Sequence, residues 1–321
     1  MTAEPLSEIN HEELSVRLPD GRRLGYATYG DPQGDPVLYF HSVPGSRLSV
    51  LPALRDPDLG AWVIAPDRPG FGLSDFRPGR RLTDWPADVA ALADALGVGR
   101  FYVVGESAGG AHAVVCAWAL PDRVMAAASI AGGMVDSDEA FRHLPRQTRN
   151  MINVSRRAPW LMRGACMLGA VEARKSNQRV GRHLGRSAGH APPADQELLQ
   201  DEPVRAALID GLIEAYRQGA GATVSEMSEI VAQPWPFDVA EVKVPLTLWH
   251  GAEDSHVPVD LAERIARRLA HGSLHVVPGE GHLVAQRHWP EILAELRAAA
   301  RGSPAGPGDG SGPAGGGSPA H

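Results

Sequence analysis

Short apolar runs alternate with helix-length segments along most of this chain. Residues 37–40, 62–66, 101–104, 124–131, 244–251 and 273–277 are each short and almost continuously apolar, as strands buried on both faces are. Between them lie segments with helical spacing. Residues 84–96 carry Val89, Leu92 and Leu96 roughly on one face and stop at Gly97-Val98-Gly99. An Ala-rich stretch at 111–120, a segment at 260–269 and a last one at 289–301 also predict helices, and another helix is expected to start near Arg47. Ahead of all this, 13–18 and 23–29 flank Pro19-Asp20-Gly21-Arg22, which predicts an antiparallel hairpin with an Asp-Gly turn. Eight strands in this order predict an α/β fold with a mostly parallel sheet. Sites in such sheets form at the carboxyl ends of the strands.

The alternation breaks in the middle. Residues 134–239 hold helical and loop patterns without a clear strand. They are expected to be a mostly helical lid inserted into a core made of 1–133 and 240–301. Residues 302–321 are Gly, Pro, Ser and Ala with one Asp and a terminal His, which predicts a disordered tail.

Composition narrows the picture modestly. Of 321 residues 43% are hydrophobic, ordinary for a globular chain. A net charge of -7 argues against a nucleic-acid partner. No apolar run approaches the roughly 18 residues that span a bilayer, and no secretory signal pattern opens the chain. With only Cys116 and Cys166, a disulfide framework is not expected, which fits a cytoplasmic location. Charge is unevenly spread: Glu172 is the single acid between Phe141 and His190, a stretch that holds Arg142, Arg156, Arg157 and further basic residues. This is either a solvated helical face or a positively charged entrance for an anionic substrate or an acidic surface.

The chemistry gathers around Phe101-Tyr102-Val103-Val104-Gly105-Glu106-Ser107-Ala108-Gly109-Gly110. A strand passing directly into a helix through Gly-x-Ser-x-Gly leaves room only for a sharp turn, which pushes Ser107 out at the sheet edge. A serine hydroxyl needs a base to attack at neutral pH, and the base needs an orienting carboxylate. Of 13 histidines, His282 lies in a Gly-rich loop directly after the last strand. Asp254 follows the strand ending at His250-Gly251. Glu253 and Asp136 are its rivals. The attacked carbonyl develops an oxyanion that needs two N–H donors; Ala108 and Val43 stand at the right strand ends. His41, Ser42, Glu106 and Trp160 are the candidate pocket residues.

At this point the chain resembles the α/β-hydrolase superfamily, in its capped esterase and epoxide-hydrolase-like branch. His41-Ser42-Val43-Pro44-Gly45 is similar to that branch's His-Gly-x-Pro loop. Asp67-Arg68-Pro69-Gly70-Phe71-Gly72-Leu73-Ser74 matches its Asp-Arg-x-Gly-x-Gly-x-Ser loop at every fixed position. Residues 105–109, 250–258 and 281–282 match the nucleophile, acid and base loops. Ser42 departs from the usual glycine. The resemblance implies a serine-nucleophile hydrolase of carboxylic esters or related acyl compounds, with triad Ser107, Asp254 and His282 and with no cofactor or metal. Acyl transfer, carbon–carbon bond hydrolysis and cofactor-free perhydrolysis on the same triad remain open, as does a non-catalytic ligand receptor. A small-molecule acyl or ester substrate is the expected partner; the oligomeric state is left open.

Overall fold

The computed structural model describes residues 14–53, 59–133, 135–175, 191–231 and 233–302. The tail expectation therefore falls outside the described residues, except that Gly302 closes the last helix.

The sheet has eight strands: β1 (Leu14–Arg17), β2 (Arg23–Gly30), β3 (Asp35–Phe40), β4 (Ala61–Pro66), β5 (Phe101–Glu106), β6 (Val124–Ile130), β7 (Leu246–Gly251) and β8 (Gly272–Val277). Their order in space is β1-β2-β4-β3-β5-β6-β7-β8. β2 runs antiparallel to β1 and β4; every other pair is parallel. The expected hairpin forms, with Gly21 at φ 89° completing its turn, a conformation that costs glycine no Cβ clash.

The inner parallel strands β3 to β7 are apolar on both faces because both are covered. Along β3, Leu38 and Phe40 face one side and Val37 and Tyr39 the other; β5 divides Phe101 and Val103 from Tyr102 and Val104 in the same way. On the first side lie α1 (Trp85–Ala95), α2 (Ala108–Ala119) and a later helix, Val259–Ala266. On the second lie a 3-10 turn, Arg47–Ala53, and the last helix, Ala285–Gly302, whose Trp289, Ile292, Leu293 and Leu296 are buried.

Between β6 and β7 the described residues are helical: α3 (Asp138–His143), α4 (Arg146–Arg157), α5 (Pro159–Lys175), α6 (Pro193–Gln200), α7 (Glu202–Ala215) and α8 (Gly221–Glu229). The two remaining helices are α9 (Val259–Ala266) and α10 (Ala285–Gly302). α7 packs on the 3-10 turn, while α5 packs on α4, α7 and α8.

Two element boundaries differ from the sequence reading. α2 begins at Ala108, not at Ala111, because the helix starts directly from the turn residue Ser107. The helix expected to start near Arg47 does start there, as the 3-10 helix Arg47–Ala53. α10 starts a turn before Trp289, with a break at His288 (φ -114°, ψ 17°) ahead of Pro290, whose ring cannot continue an unbroken helix.

Candidate active site

Ser107 sits between β5 and α2 at φ 51°, ψ -118°, a conformation that L-residues rarely adopt and that costs of order 1–3 kcal/mol. The surroundings hold it there. Its N–H donates to the Ile130 carbonyl at 2.9 Å, and its own carbonyl accepts from Gly110 N at 2.9 Å and Gly133 N at 3.0 Å. A Cβ on Gly105 would collide with the Gly109 carbonyl oxygen, and one on Gly109 with that of Phe40. The two glycines are therefore required by close backbone approach. Ala108 opens α2, so its N–H is among the first four that have no partner within the helix.

His282 lies in the loop between β8 and α10, and its Nδ1 meets Asp254 Oδ2 at 2.8 Å. The Asp254 side chain is wholly buried. Its Oδ1 accepts the backbone N–H groups of His256 (2.8 Å) and Val257 (3.0 Å), and His250 Nε2 approaches Oδ2 at 3.3 Å. Burial disfavours the charge, but His282, His250 and the Val257 N–H outweigh it and hold the carboxyl well below its usual range. Burial also works against a charged His282, and Asp254 outweighs that in turn, so the imidazole pKa is raised. The structure thus joins the Asp254 carboxylate to the His282 imidazole directly. Among the described residues, Ser107 Oγ makes no hydrogen bond, to His282 or any other; such contacts commonly tighten only around substrate.

Neither rival acid is free for the role. Glu253 is exposed. Asp136 is tied to Arg268 and lies 3.5 Å from Arg264 Nε. Asp254, His256 and His282 also bring three metal-ligating atoms within 4.8 Å of one another. Hydrogen bonds already occupy both Asp254 oxygens, which fits an acid–base pair better than a metal centre.

Glu106 ends β5, one residue before Ser107. Its Oε2 accepts the Tyr39 hydroxyl at 2.8 Å, while Oε1 is buried without a partner. Burial raises its pKa to about 7, against the opposing pull of Tyr39 and His282.

The loop after β3 is fixed from below. His41 is fully buried; its Nε2 accepts the Arg68 N–H at 3.0 Å, so its proton sits on Nδ1, which donates to the Ser42 carbonyl at 2.8 Å. Burial and Arg68 push its pKa well below the usual range. His41 thus braces the loop, whereas Ser42 and Val43 are only partly buried. Ser42 Oγ bonds within the loop, to the Pro44 carbonyl at 3.3 Å. Trp160 lies far out on α5, 73% exposed.

Three residues carry long-range roles that sequence reasoning missed. The Arg68 guanidinium holds the His41 carbonyl and, at 3.0 Å, that of Ser42. It pairs at 2.6 Å with Glu226 of α8, which also takes Arg80; both sides of the Arg68–Glu226 pair are fully buried. Burial penalises the Glu226 charge, but the two guanidinium groups more than offset it and keep the carboxyl far below its usual range. From α6, the buried Asp195 accepts the backbone N–H groups of His282 (2.9 Å) and Leu283 (3.1 Å). A Cβ on Gly281 would strike that carboxylate. Local sequence gives no signal for Asp195 or Glu226, whose partners lie 87 and 158 positions away. Arg68 stood in a matched loop but carried no assigned role.

A mostly parallel sheet with this order, a strained serine after β5 and an Asp–His pair after β7 and β8 define an α/β-hydrolase. A sequence profile described as alpha/beta hydrolase fold matches residues 35–285, and the chain belongs to that family. It is similar to a 2-hydroxy-6-oxononadienedioate/2-hydroxy-6-oxononatrienedioate hydrolase of Burkholderia vietnamiensis, 26% identical over 71% of this chain and 73% of that one. It is also similar to a non-heme chloroperoxidase of Streptomyces lividans, 28% identical over 87% of this chain and 96% of that one. Among solved structures, the esterase RhEst1 from Rhodococcus shares the fold with TM-score 0.63 at 18% identity, covering 91% of this chain and 98% of that one. No helix among the described residues is long and apolar enough to cross a membrane.

Proposed function

We propose that the protein is a serine hydrolase acting on carboxylic esters or related acyl compounds. In this reading His282 takes the proton of Ser107 as the hydroxyl oxygen attacks the substrate carbonyl, while Asp254 fixes the imidazole tautomer and stabilises the cation that forms. The N–H groups of Val43 and Ala108 receive the oxyanion. The leaving alcohol takes the proton from His282, and an acyl-enzyme remains. Water, deprotonated by the same imidazole, then attacks the acyl carbon; the bond to Ser107 Oγ breaks, the imidazolium returns the proton to that oxygen, and the acid leaves. Helices α3 to α8 act as a cap over this site.

The observation that carries the reading is the pair of buried Asp254 carboxylate and partly buried His282 on the strand edge that also bears the strained Ser107. A fluorophosphonate probe tests it: the wild-type protein should be labelled covalently, and Ser107→Ala should abolish labelling while the thermal melt stays unchanged. A folded wild-type protein that takes no label would overturn the proposal in favour of a ligand receptor. A panel of p-nitrophenyl esters of graded chain length then defines the acyl group. Product analysis separates hydrolysis from acyl transfer, carbon–carbon cleavage and perhydrolysis.

A further inference from the structure

Helix α5 is apolar on two sides. Its inner side packs onto the neighbouring helices, with Cys166 against Tyr216 and Ala220. Its outer side carries Trp160, Leu161, Gly164, Met167 and Leu168, all exposed. The spacing i, i+1, i+4, i+7, i+8 places these five on one stripe. Trp160 and Leu168 are 73% and 70% exposed. Met151 of α4 adds another exposed apolar side chain, so these two helices hold five of the seven large exposed hydrophobics among the described residues. Such a concentration marks an interaction surface, because single apolar residues scattered over a surface are the ordinary case.

The same two helices are strongly basic. Across α4 and α5 there are seven basic residues and one acid, Glu172, in a chain whose net charge is -7. Arg146, Arg157 and Arg163 are exposed. Among the described residues α5 packs chiefly on α4, α7 and α8, and its outer stripe is left exposed.

We propose that the α4–α5 hairpin docks on an anionic lipid surface, with α5 lying in the interface plane. An apolar stripe flanked by Arg side chains matches a bilayer boundary: Trp, Leu and Met enter the acyl region, and the guanidinium groups stay with the headgroup phosphates. Charge complementarity selects this occupant. Two copies meeting through the same face in a two-fold dimer would bring two cationic hairpins together and repel. An anionic bilayer supplies an apolar phase and negative charge at once. The proposal is independent of the chemistry assigned to Ser107.

Vesicle co-sedimentation of the full chain tests it. The protein should bind vesicles of phosphatidylcholine mixed with phosphatidylglycerol and should bind pure phosphatidylcholine vesicles at least about tenfold more weakly. Leu161→Glu with Leu168→Glu, and separately Arg157→Ala with Arg163→Ala, should each lower partitioning by about tenfold or more with an unchanged thermal melt. The arginine pair keeps the test decisive if the leucine pair fails to fold. Absence of binding to the anionic vesicles would overturn the proposal, as would binding that neither pair weakens. A wild-type dimer in light scattering that Leu161→Glu converts to monomer would assign the stripe to a second copy instead.

Discussion

At Ser107 the backbone and the side chain have linked tasks. The turn that forces φ to 51° is the turn that carries the hydroxyl to the sheet edge, and Gly105 and Gly109 give it space. Asp254 is the residue on which the electrostatics turn. It is buried, yet surrounded by enough donors to remain ionised, and it raises the pKa of His282. Only neutral His282 can accept a proton, so activity should fall as pH drops through its raised pKa. Asp254→Asn removes the charge that raises it. That variant should lower kcat by about ten-thousandfold, the scale of losing the correct tautomer in other serine triads, and should move the acidic limb of kcat/KM to lower pH. A pH–rate profile of the two proteins measures both effects. A limb that stayed in place would mean that His282 is not the titrating base.

Helices between β6 and β7 reach into the site at two places, and each contact fixes a loop. Asp195 of α6 ties down the base loop through the N–H groups of His282 and Leu283, and its charge also favours protonated His282. Asp195→Ala should lower kcat by about ten- to a hundredfold with little change in KM, because the imidazole loses its placement. Asp195→Asn, which can still accept hydrogen bonds, should restore part of kcat but leave the acidic limb displaced to lower pH. A purely structural role would lower the melting temperature and leave that limb unmoved. Glu226 of α8 supports the other loop through Arg68. Glu226→Leu strands the Arg68 and Arg80 guanidinium groups in a buried site, and denaturant unfolding should report a loss of about 3–5 kcal/mol.

For the whole molecule, the buried neutral histidines set a dependence of stability on pH. His41 and His112 are fully buried; burial first, then Arg68, depresses both, His112 to about 3. A base with a depressed folded pKa stabilises the native state fully above its unfolded pKa. That contribution is lost as pH falls, because the unfolded chain takes up the proton and the folded chain does not. Between pH 7 and pH 5 His112 should remove about 2 kcal/mol and His41 acts in the same direction, while His282, with its pKa raised, works in the opposite direction. Chemical denaturation at the two pH values measures the slope, and His112→Leu should flatten it. An equal slope in that variant would show that His112 is protonated in the folded protein.

The sequence by itself determined the strand order along the chain, the hairpin, the Gly-Ser-Gly turn and the strand ends carrying Asp254 and His282. These depend on short-range causes: two-residue and 3.6-residue periodicity, turn chemistry, and the rule that sites in parallel sheets gather at carboxyl ends. Only the tertiary structure decided which neighbours fix those groups. It turned His41 inward as a neutral brace and, among the described residues, left α5 with an exposed apolar stripe. It also brought Asp195 to the base loop and Glu226 beneath the loop after β3. Those pairings join residues far apart in the chain, and a carboxylate looks the same in sequence whether it faces water or two buried backbone N–H groups. Folding decides between the two, because only a carboxylate that finds such partners can be buried without a large desolvation cost.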